Sequence, residues 1–158
     1  MRRKRIGIGA AVAAGTLAMT GFVLAPSAAA VVPQSATINA ECSLLGGGEA
    51  TLTATQDGTS ATITVSSTDI TSPIALGEDS IQASLTMVKA SGGTTTFSGT
   101  ENPAIAAGEG VTVGPLTGTV AAGDSLETFG GSLNLTVIGI NITCTAQAPQ
   151  SPGPFVFE

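Results

Sequence analysis

The alternation of apolar and polar residues is the main structural signal in this chain. It is clearest from Gly131 to Ala146, where apolar residues occupy every second position on both sides of a one-residue phase slip at Val137-Ile138-Gly139. A period of two is typical of strands that bury one face. The slip predicts either a β-bulge or a tight hairpin turn.

Similar alternating runs recur from Ala36 onward and are separated by glycine-rich turns. Asp57-Gly58 is a strong hairpin signal, and Glu101 to Gly110 is the longest stretch without alternation. No run has the period of an amphipathic helix. Strand signals spaced roughly 8 to 14 residues apart predict an all-β domain, a single antiparallel β-sandwich of the immunoglobulin-like or Greek-key type with about 7 to 9 strands.

The first 30 residues have the pattern of an export signal. A basic stretch, Met1 to Arg5, precedes an apolar run from Ile6 to Ala25 and a small-residue segment that ends at Ala30. We therefore expect residues 1–30 to be a signal peptide cleaved between Ala30 and Val31, which predicts a secreted protein that can associate with the cell surface. The alternative is an uncleaved anchor, because an apolar run of about 20 residues is long enough to span a bilayer.

The two cysteines, Cys42 and Cys144, lie near the two ends of the predicted domain at residues 31–146. In an exported chain such a pair favours a disulfide, here one that would join the first strand to the last. Closing a loop of about 100 residues stabilises a fold by up to roughly 4 to 5 kcal/mol in the chain-entropy model. Two buried free thiols are the alternative.

Removal of the signal would change the charge of the protein. The chain has 5 basic and 11 acidic residues, and four of the basic residues lie before Ile6. Residues 31–158 therefore keep Lys89 as their one cation, and their formal charge is 1 − 11 = −10. Because this surface repels polyanions, we expect neither nucleic acid nor, after cleavage, a membrane as a partner.

Absent residue types argue against catalysis. The chain has no histidine, and residues 31–158 also lack arginine, tryptophan and tyrosine, which removes the usual general base and the rings that stack on sugars. The segment Thr86 to Lys89 has the spacing of a nucleophile three residues before a lysine. A strand-end lysine that discourages edge pairing explains the same residues. We expect no enzyme and no catalytic residue.

Acidic residues are the remaining candidates for chemistry. The closest pairs are Glu78-Asp79 and Asp124 with Glu127, and paired carboxylates can hydrolyse glycosides. Without aromatic platforms, solvated turn acids are the simpler interpretation. Loop carboxylates can also bind calcium, although no loop has the spacing of an EF-hand. We therefore expect no cofactor, with calcium as the one metal to consider.

The last twelve residues, 147–158, contain three prolines and predict an extended tail. Phe155 and Phe157 lie two apart and are placed to pin the tail to an apolar groove or a sheet edge. We expect the interaction surface to lie on this tail and on the Glu101–Gly110 loop, and we expect deletion of Pro154 to Glu158 to leave the fold intact. The Gly131–Ala146 segment should lie inside a sheet, paired on both sides, because an uncharged isoleucine-rich edge promotes aggregation.

Two short motifs, Cys42-Ser43-Leu44-Leu45 and Ile140 to Thr145, together with the export signal, resemble uncharacterised small secreted proteins of actinobacteria. That resemblance implies a β-sandwich domain of unknown function bounded by a cysteine pair, and it implies no catalytic residue. In size, acidity and small-residue content the chain is also similar to the neocarzinostatin-type apoproteins, acidic sandwiches that carry a small apolar molecule. Those proteins have two disulfides, whereas this chain can form one.

The leading functional prediction is a non-enzymatic, secreted or cell-envelope-associated interaction module of unknown partner. The alternative is a carrier of a small apolar ligand. An enclosed apolar cavity would favour the carrier, whereas an apolar surface or an open strand edge would favour the interaction module.

Overall fold

The computed structural model describes residues 31–158, and every regular element among them is a β-strand. The predicted signal peptide and the Ala30 side of its cleavage site lie outside the described residues. The nine strands are β1 (Ser35–Cys42), β2 (Gly46–Asp57), β3 (Ser60–Thr71), β4 (Ile81–Lys89), β5 (Thr94–Gly99), β6 (Gly110–Thr119), β7 (Ser125–Val137), β8 (Ile140–Ala146) and β9 (Phe155–Val156).

The period-two alternation becomes an inside and an outside face of the sheet. In β2, the residues Ala50, Leu52 and Ala54 are buried, while the threonines between them face outward. In β3, Ala61, Ile63 and Val65 follow the same rule. Threonine is a good strand former at exposed positions, so the same sequence favours extended backbone on both faces.

The strands form one antiparallel sheet in the order β4-β5-β6-β3-β2-β1-β8-β7, and a further pairing of β4 with β7 closes it into an eight-stranded barrel. The antiparallel all-β fold with one disulfide is as predicted. The predicted sandwich of two separate sheets is corrected, because β4 pairs with β5 on one side and with β7 on the other. Alternation cannot separate the two arrangements, since each strand buries one face in both.

Two seams of the barrel are thinly paired. The β5–β6 seam has one paired position, Ser98 with Thr117, and the β1–β8 seam has three, which end at Cys42 opposite Cys144. The predicted disulfide is confirmed at that last position, where the two Cα atoms lie 4.0 Å apart. The covalent bond thus holds β1 against β8 near the end of their backbone pairing, which continues by one residue to Ser43 and Thr143.

The C-terminal tail covers one end of the barrel, called here the closed end. Phe155 and Phe157 are 0% and 1% exposed, and β9 pairs antiparallel with Ser125 and Leu126 at the start of β7. The Gln56 side chain makes two hydrogen bonds to the backbone of Glu158. Its Nε2 donates to the backbone oxygen, and its Oε1 accepts from the N–H at 3.0 Å. The tail is pinned through its phenylalanines as predicted, but these side chains are core and are not available to a partner.

The opposite end, called here the open end, is formed by two short turns and two loops: residues 43–45, 72–80, 100–109 and 138–139. The β3–β4 connection is the longest path across it, because β6 and β5 lie between those two strands. No segment comparable to the tail folds over this end among residues 31–158.

Candidate binding site at the open end

Large aliphatic side chains stand exposed around the open end. The exposed fractions are 64% for Leu44, 47% for Ile74, 74% for Ile138 and 54% for Ile140. Three of these residues occupy turns or loops, where polar residues are usual, and Ile140 is the first residue of β8. Clustered exposed apolar side chains mark binding surfaces on soluble domains, whereas single ones are ordinary. We call these four side chains the apolar rim.

A cavity of about 140 Å³ lies within the apolar rim. Its wall is aliphatic apart from the hydroxyl of Ser72, and no charged side chain is among the described residues that line it. The Ser72 hydroxyl donates a hydrogen bond to the Ile74 carbonyl at 2.7 Å, so it is already satisfied. The cavity therefore offers apolar contact and no polar group that lacks a partner.

A second, smaller cavity of about 50 Å³ lies deeper in the barrel. Leu45, Val111 and Leu135 line both cavities. The deeper one reaches the disulfide and the core side chains of β2 and β3. The apolar surface of the open end therefore continues inward to the core.

The tip of the β7–β8 hairpin is strained. Ile138 has a φ of 49° and Gly139 a φ of 73°, the left-handed pair that a two-residue hairpin turn requires. Of the two alternatives predicted for the phase slip, a β-bulge or a tight hairpin turn, the structure shows the turn. Asn-Gly is the usual pair at such turns, and a β-branched residue with positive φ is a rare outlier. Ile138 is thus unfavourable both in its backbone conformation and in its exposure to water, which points to a role for its side chain outside the fold.

The strand that follows this turn has a short free edge. Ser43 donates its N–H to the Thr143 carbonyl at 2.9 Å, and its hydroxyl accepts from the Thr143 N–H at 3.2 Å. Beyond that point, within the described chain, residues 140–142 of β8 pair with β7 alone. The prediction that 131–146 is paired on both sides is wrong for these three residues, because β1 ends at Cys42 and the chain turns away.

The two loops at the open end are firmly joined. Asn102 is buried, and its side-chain oxygen accepts from the Ile81 N–H at 2.8 Å while its amide nitrogen donates to the carbonyls of Gly77 and Pro103. Leu76 and Ile105 exchange backbone hydrogen bonds of 2.8 and 2.9 Å. The Glu101–Gly110 loop, predicted as an interaction loop, is therefore tied to the β3–β4 loop, and its apolar residue Ile105 is buried.

Negative charge is concentrated in the half of the barrel that carries the open end. Seven acidic residues lie there: Glu41, Glu49, Asp69, Glu78, Asp79, Glu101 and Glu109. The other half holds four acids and the cation Lys89, so the formal charges are −7 and 1 − 4 = −3. Glu109 also touches the wall of the cavity, because its carbonyl accepts from the Ser72 N–H at 2.9 Å.

The closed half contains an ion pair between Lys89 and Asp124, with 3.0 Å between Nζ and Oδ2. The same carboxylate accepts a hydrogen bond from the Ala121 N–H at 2.9 Å. That backbone bond, and then the Lys89 ammonium, hold the pKa of Asp124 below its usual range. Lys89, the last residue of β4, is thus paired with Asp124 in the β6–β7 connection, away from the open end.

The other candidates from the sequence have structural positions. Glu127, paired with Asp124 in the sequence, uses one oxygen to accept from the N–H groups of Thr128 and Gln150, both at 2.9 Å, and so ties β7 to the tail. Glu78 and Asp79 lie exposed in the β3–β4 loop. No group of three or more histidine, cysteine, aspartate or glutamate side chains that could hold a metal ion occurs among residues 31–158.

The rim was missed by the sequence analysis, although a signal for it exists. Leu44 lies in the short turn at residues 43–45, just before three consecutive glycines, and Ile138 takes a turn position before Gly139. Aliphatic residues at turn tips conflict with the local rule that turns are polar.

In the described part of the chain, no helix is long and apolar enough to cross a membrane. Comparison with known proteins found no matching family model, no matching curated protein and no matching solved structure.

Proposed function

We propose that the protein is a secreted or cell-envelope-associated binding domain, without enzymatic activity, that acts through its open end. The observation that carries the proposal is the apolar rim around a cavity at the end of the barrel opposite the C-terminal tail. Leaving such side chains in water is unfavourable by about 25 cal/mol per Å² of apolar area, and a partner that covers them recovers that free energy.

The rest of the fold supports a binding role. The disulfide is consistent with an extracellular location. Closure of the barrel fixes the strands that carry the rim, and Asn102 anchors the loop that carries Ile74, which lowers the entropy lost on binding. The lack of histidine in the sequence supports a non-enzymatic role.

A carrier of a small apolar ligand is the second candidate, and the cavity itself favours it. An engineered apolar cavity of roughly 150 Å³ binds benzene, which is close to the 140 Å³ found here. Typical ligand sites are larger, about 300 to 1,000 Å³, and enclose most of the ligand. A ligand of benzene size would leave the four rim side chains in water, so a macromolecular partner accounts for more of the surface.

Retention on the cell envelope tests the proposed function. Residues 31–158 would be added to washed envelopes of the producing cells, and the bound fraction measured for the wild type and for two variants. Ile140→Thr removes apolar area from the rim, and Val32→Thr makes a similar change at the closed end, where Val32 is 59% exposed. We expect Ile140→Thr to lower the bound fraction by about tenfold, as for loss of an apolar anchor, and Val32→Thr to leave it unchanged.

Equal retention of all three proteins, with far-ultraviolet circular dichroism showing that each is folded, would contradict a binding role for the open end. Equal loss in both variants would show that retention is not specific to the rim.

A further inference from the structure

The open end combines features that restrict what can occupy it. Its cavity is apolar and of about the volume that holds a benzene ring, which is the ring of a phenylalanine side chain. One bulky apolar side chain therefore fills it. Protein interfaces commonly centre on one such anchor in a pocket, surrounded by contacts that exclude water.

The rim extends beyond the cavity. Leu44 and Ile74 belong to different loops from Ile138 and Ile140, so an occupant that covers all four must extend across the end of the barrel. A polypeptide segment can extend across the end of the barrel in this way. When one of its side chains fills the cavity, the residues on either side of it lie against the rim. The free edge at residues 140–142 adds backbone groups that an extended segment can bind.

Charge selects among polypeptide partners. Counting only residues 31–158, the half of the barrel with the rim has a formal charge of −7 and no cation. A second copy of the chain would bring an equal negative charge against this surface, which disfavours association of two copies through their open ends. A segment with lysine or arginine beside its apolar anchor is attracted to the same surface.

We propose that the open end binds a polypeptide segment in which one bulky apolar residue is flanked by lysine or arginine. The apolar residue enters the cavity within the rim. The cations face the acidic residues of the surrounding loops, such as Glu78, Asp79 and Glu109. The proposal rests on the proposed function and specifies its partner.

Selection from a random heptapeptide display library tests the partner chemistry directly. The target is residues 31–158, immobilised at low ionic strength. We expect enrichment of peptides with one phenylalanine, leucine, isoleucine or methionine beside at least two lysines or arginines. The best peptide is then synthesised and its dissociation constant measured by isothermal titration calorimetry.

Two pairs of variants separate apolar anchoring from charge. Ile140→Thr should weaken the selected peptide by about tenfold, while Val32→Thr changes it by less than about twofold. The double variant Glu78→Gln with Asp79→Asn should weaken it by about three- to tenfold, and raising the salt from 0.05 to 0.5 M should erase that difference. Asp57→Asn with Glu158→Gln removes the same charge at the closed end and should change affinity by less than about twofold.

Several outcomes would overturn the proposal. Enriched peptides without cations, or with acidic residues, would show that charge does not select the partner. Failure to enrich any peptide would also refute it, and sedimentation would then identify a second copy as occupant if the wild type, but not Ile140→Thr, forms dimers. Envelope retention that depends on the rim, together with any of these results, would leave the proposed function standing and refute only this partner chemistry.

Discussion

The two ends of the barrel contain similar apolar residues in opposite situations. At the closed end Phe155, Phe157 and Leu126 are buried, because the tail folds back and pairs with β7. At the open end Leu44 and Ile138 stand in water, because the turns that carry them are too short to fold over the cavity. The difference shows that the length of the connecting segments, and not hydrophobicity alone, decides which of these side chains are buried.

Deleting Pro154 to Glu158 should have the largest effect, because it removes both phenylalanines of the closed end. Each phenylalanine-to-alanine change in a core costs about 3 to 5 kcal/mol, and a domain has only about 5 to 15 kcal/mol in total. We expect the truncated protein to be unfolded or close to it, as measured by urea denaturation followed by circular dichroism. The sequence-based expectation was that the fold would stay intact.

Leu44→Ser at the open end is the control for this deletion, and it should change the free energy of unfolding by no more than about 0.5 kcal/mol. A truncated protein that unfolds cooperatively with a loss below about 2 kcal/mol would show that the tail only rests on the closed end.

Replacing both cysteines by alanine should have the next largest effect. The bridge spans 102 residues, and the chain-entropy model assigns about 4 to 5 kcal/mol to such a loop. The β1–β8 seam beside it has only three paired positions, so hydrogen exchange at Glu41 and Thr145, whose backbone groups face each other across the seam, should accelerate more than exchange within β2 and β3. Unchanged exchange at this seam would mean that backbone pairing alone holds it.

Asp124→Asn should destabilise the closed half by about 1 to 2 kcal/mol at pH 7, because the carboxylate binds both the Ala121 N–H and Lys89. The pKa of Asp124 is lowered in the folded state, so its stabilising contribution is fully present above the ordinary value of 3.8. The contribution is lost as the pH falls through the lowered pKa. Thermal denaturation from pH 7 to pH 2 should show the wild type and the variant converging in acid, and a constant difference would contradict the assignment.

Ile138→Asn should have a smaller effect on stability than Asp124→Asn, and of opposite sign. Asparagine tolerates the left-handed conformation that isoleucine is forced to adopt here, so the variant should gain about 1 kcal/mol and melt a few degrees higher. The same change removes an apolar side chain from the rim and should weaken binding of the selected peptide. Greater stability with unchanged affinity would show that Ile138 has no part in the site.

The prediction from sequence succeeded where the information is local. Alternation identified the strands around Ala36–Cys42 and 131–146, and the Asp57-Gly58 signal identified the β2–β3 hairpin. The disulfide followed from there being only two cysteines. Export, the absence of a catalytic role and the resemblance to secreted actinobacterial proteins stay predictions.

The features that were wrong depend on contacts between distant parts of the chain. Closure of the barrel needs β4 to pair with β7, about fifty residues away, and the alternation in each strand is the same whether or not it closes. Whether the tail is buried depends on its pairing with β7 beside Leu126, and no local pattern in the sequence indicates that pairing.

The sequence by itself determined that this chain is built from strands with one apolar face and that Cys42 and Cys144 can join. A strand's period and a cysteine pair are properties of the chain, readable before it folds. Only the tertiary structure decided that Phe157 is core and that Ile138 is surface. Burial depends on what else reaches the same place, and at the two ends of a barrel that is set by the connections between strands.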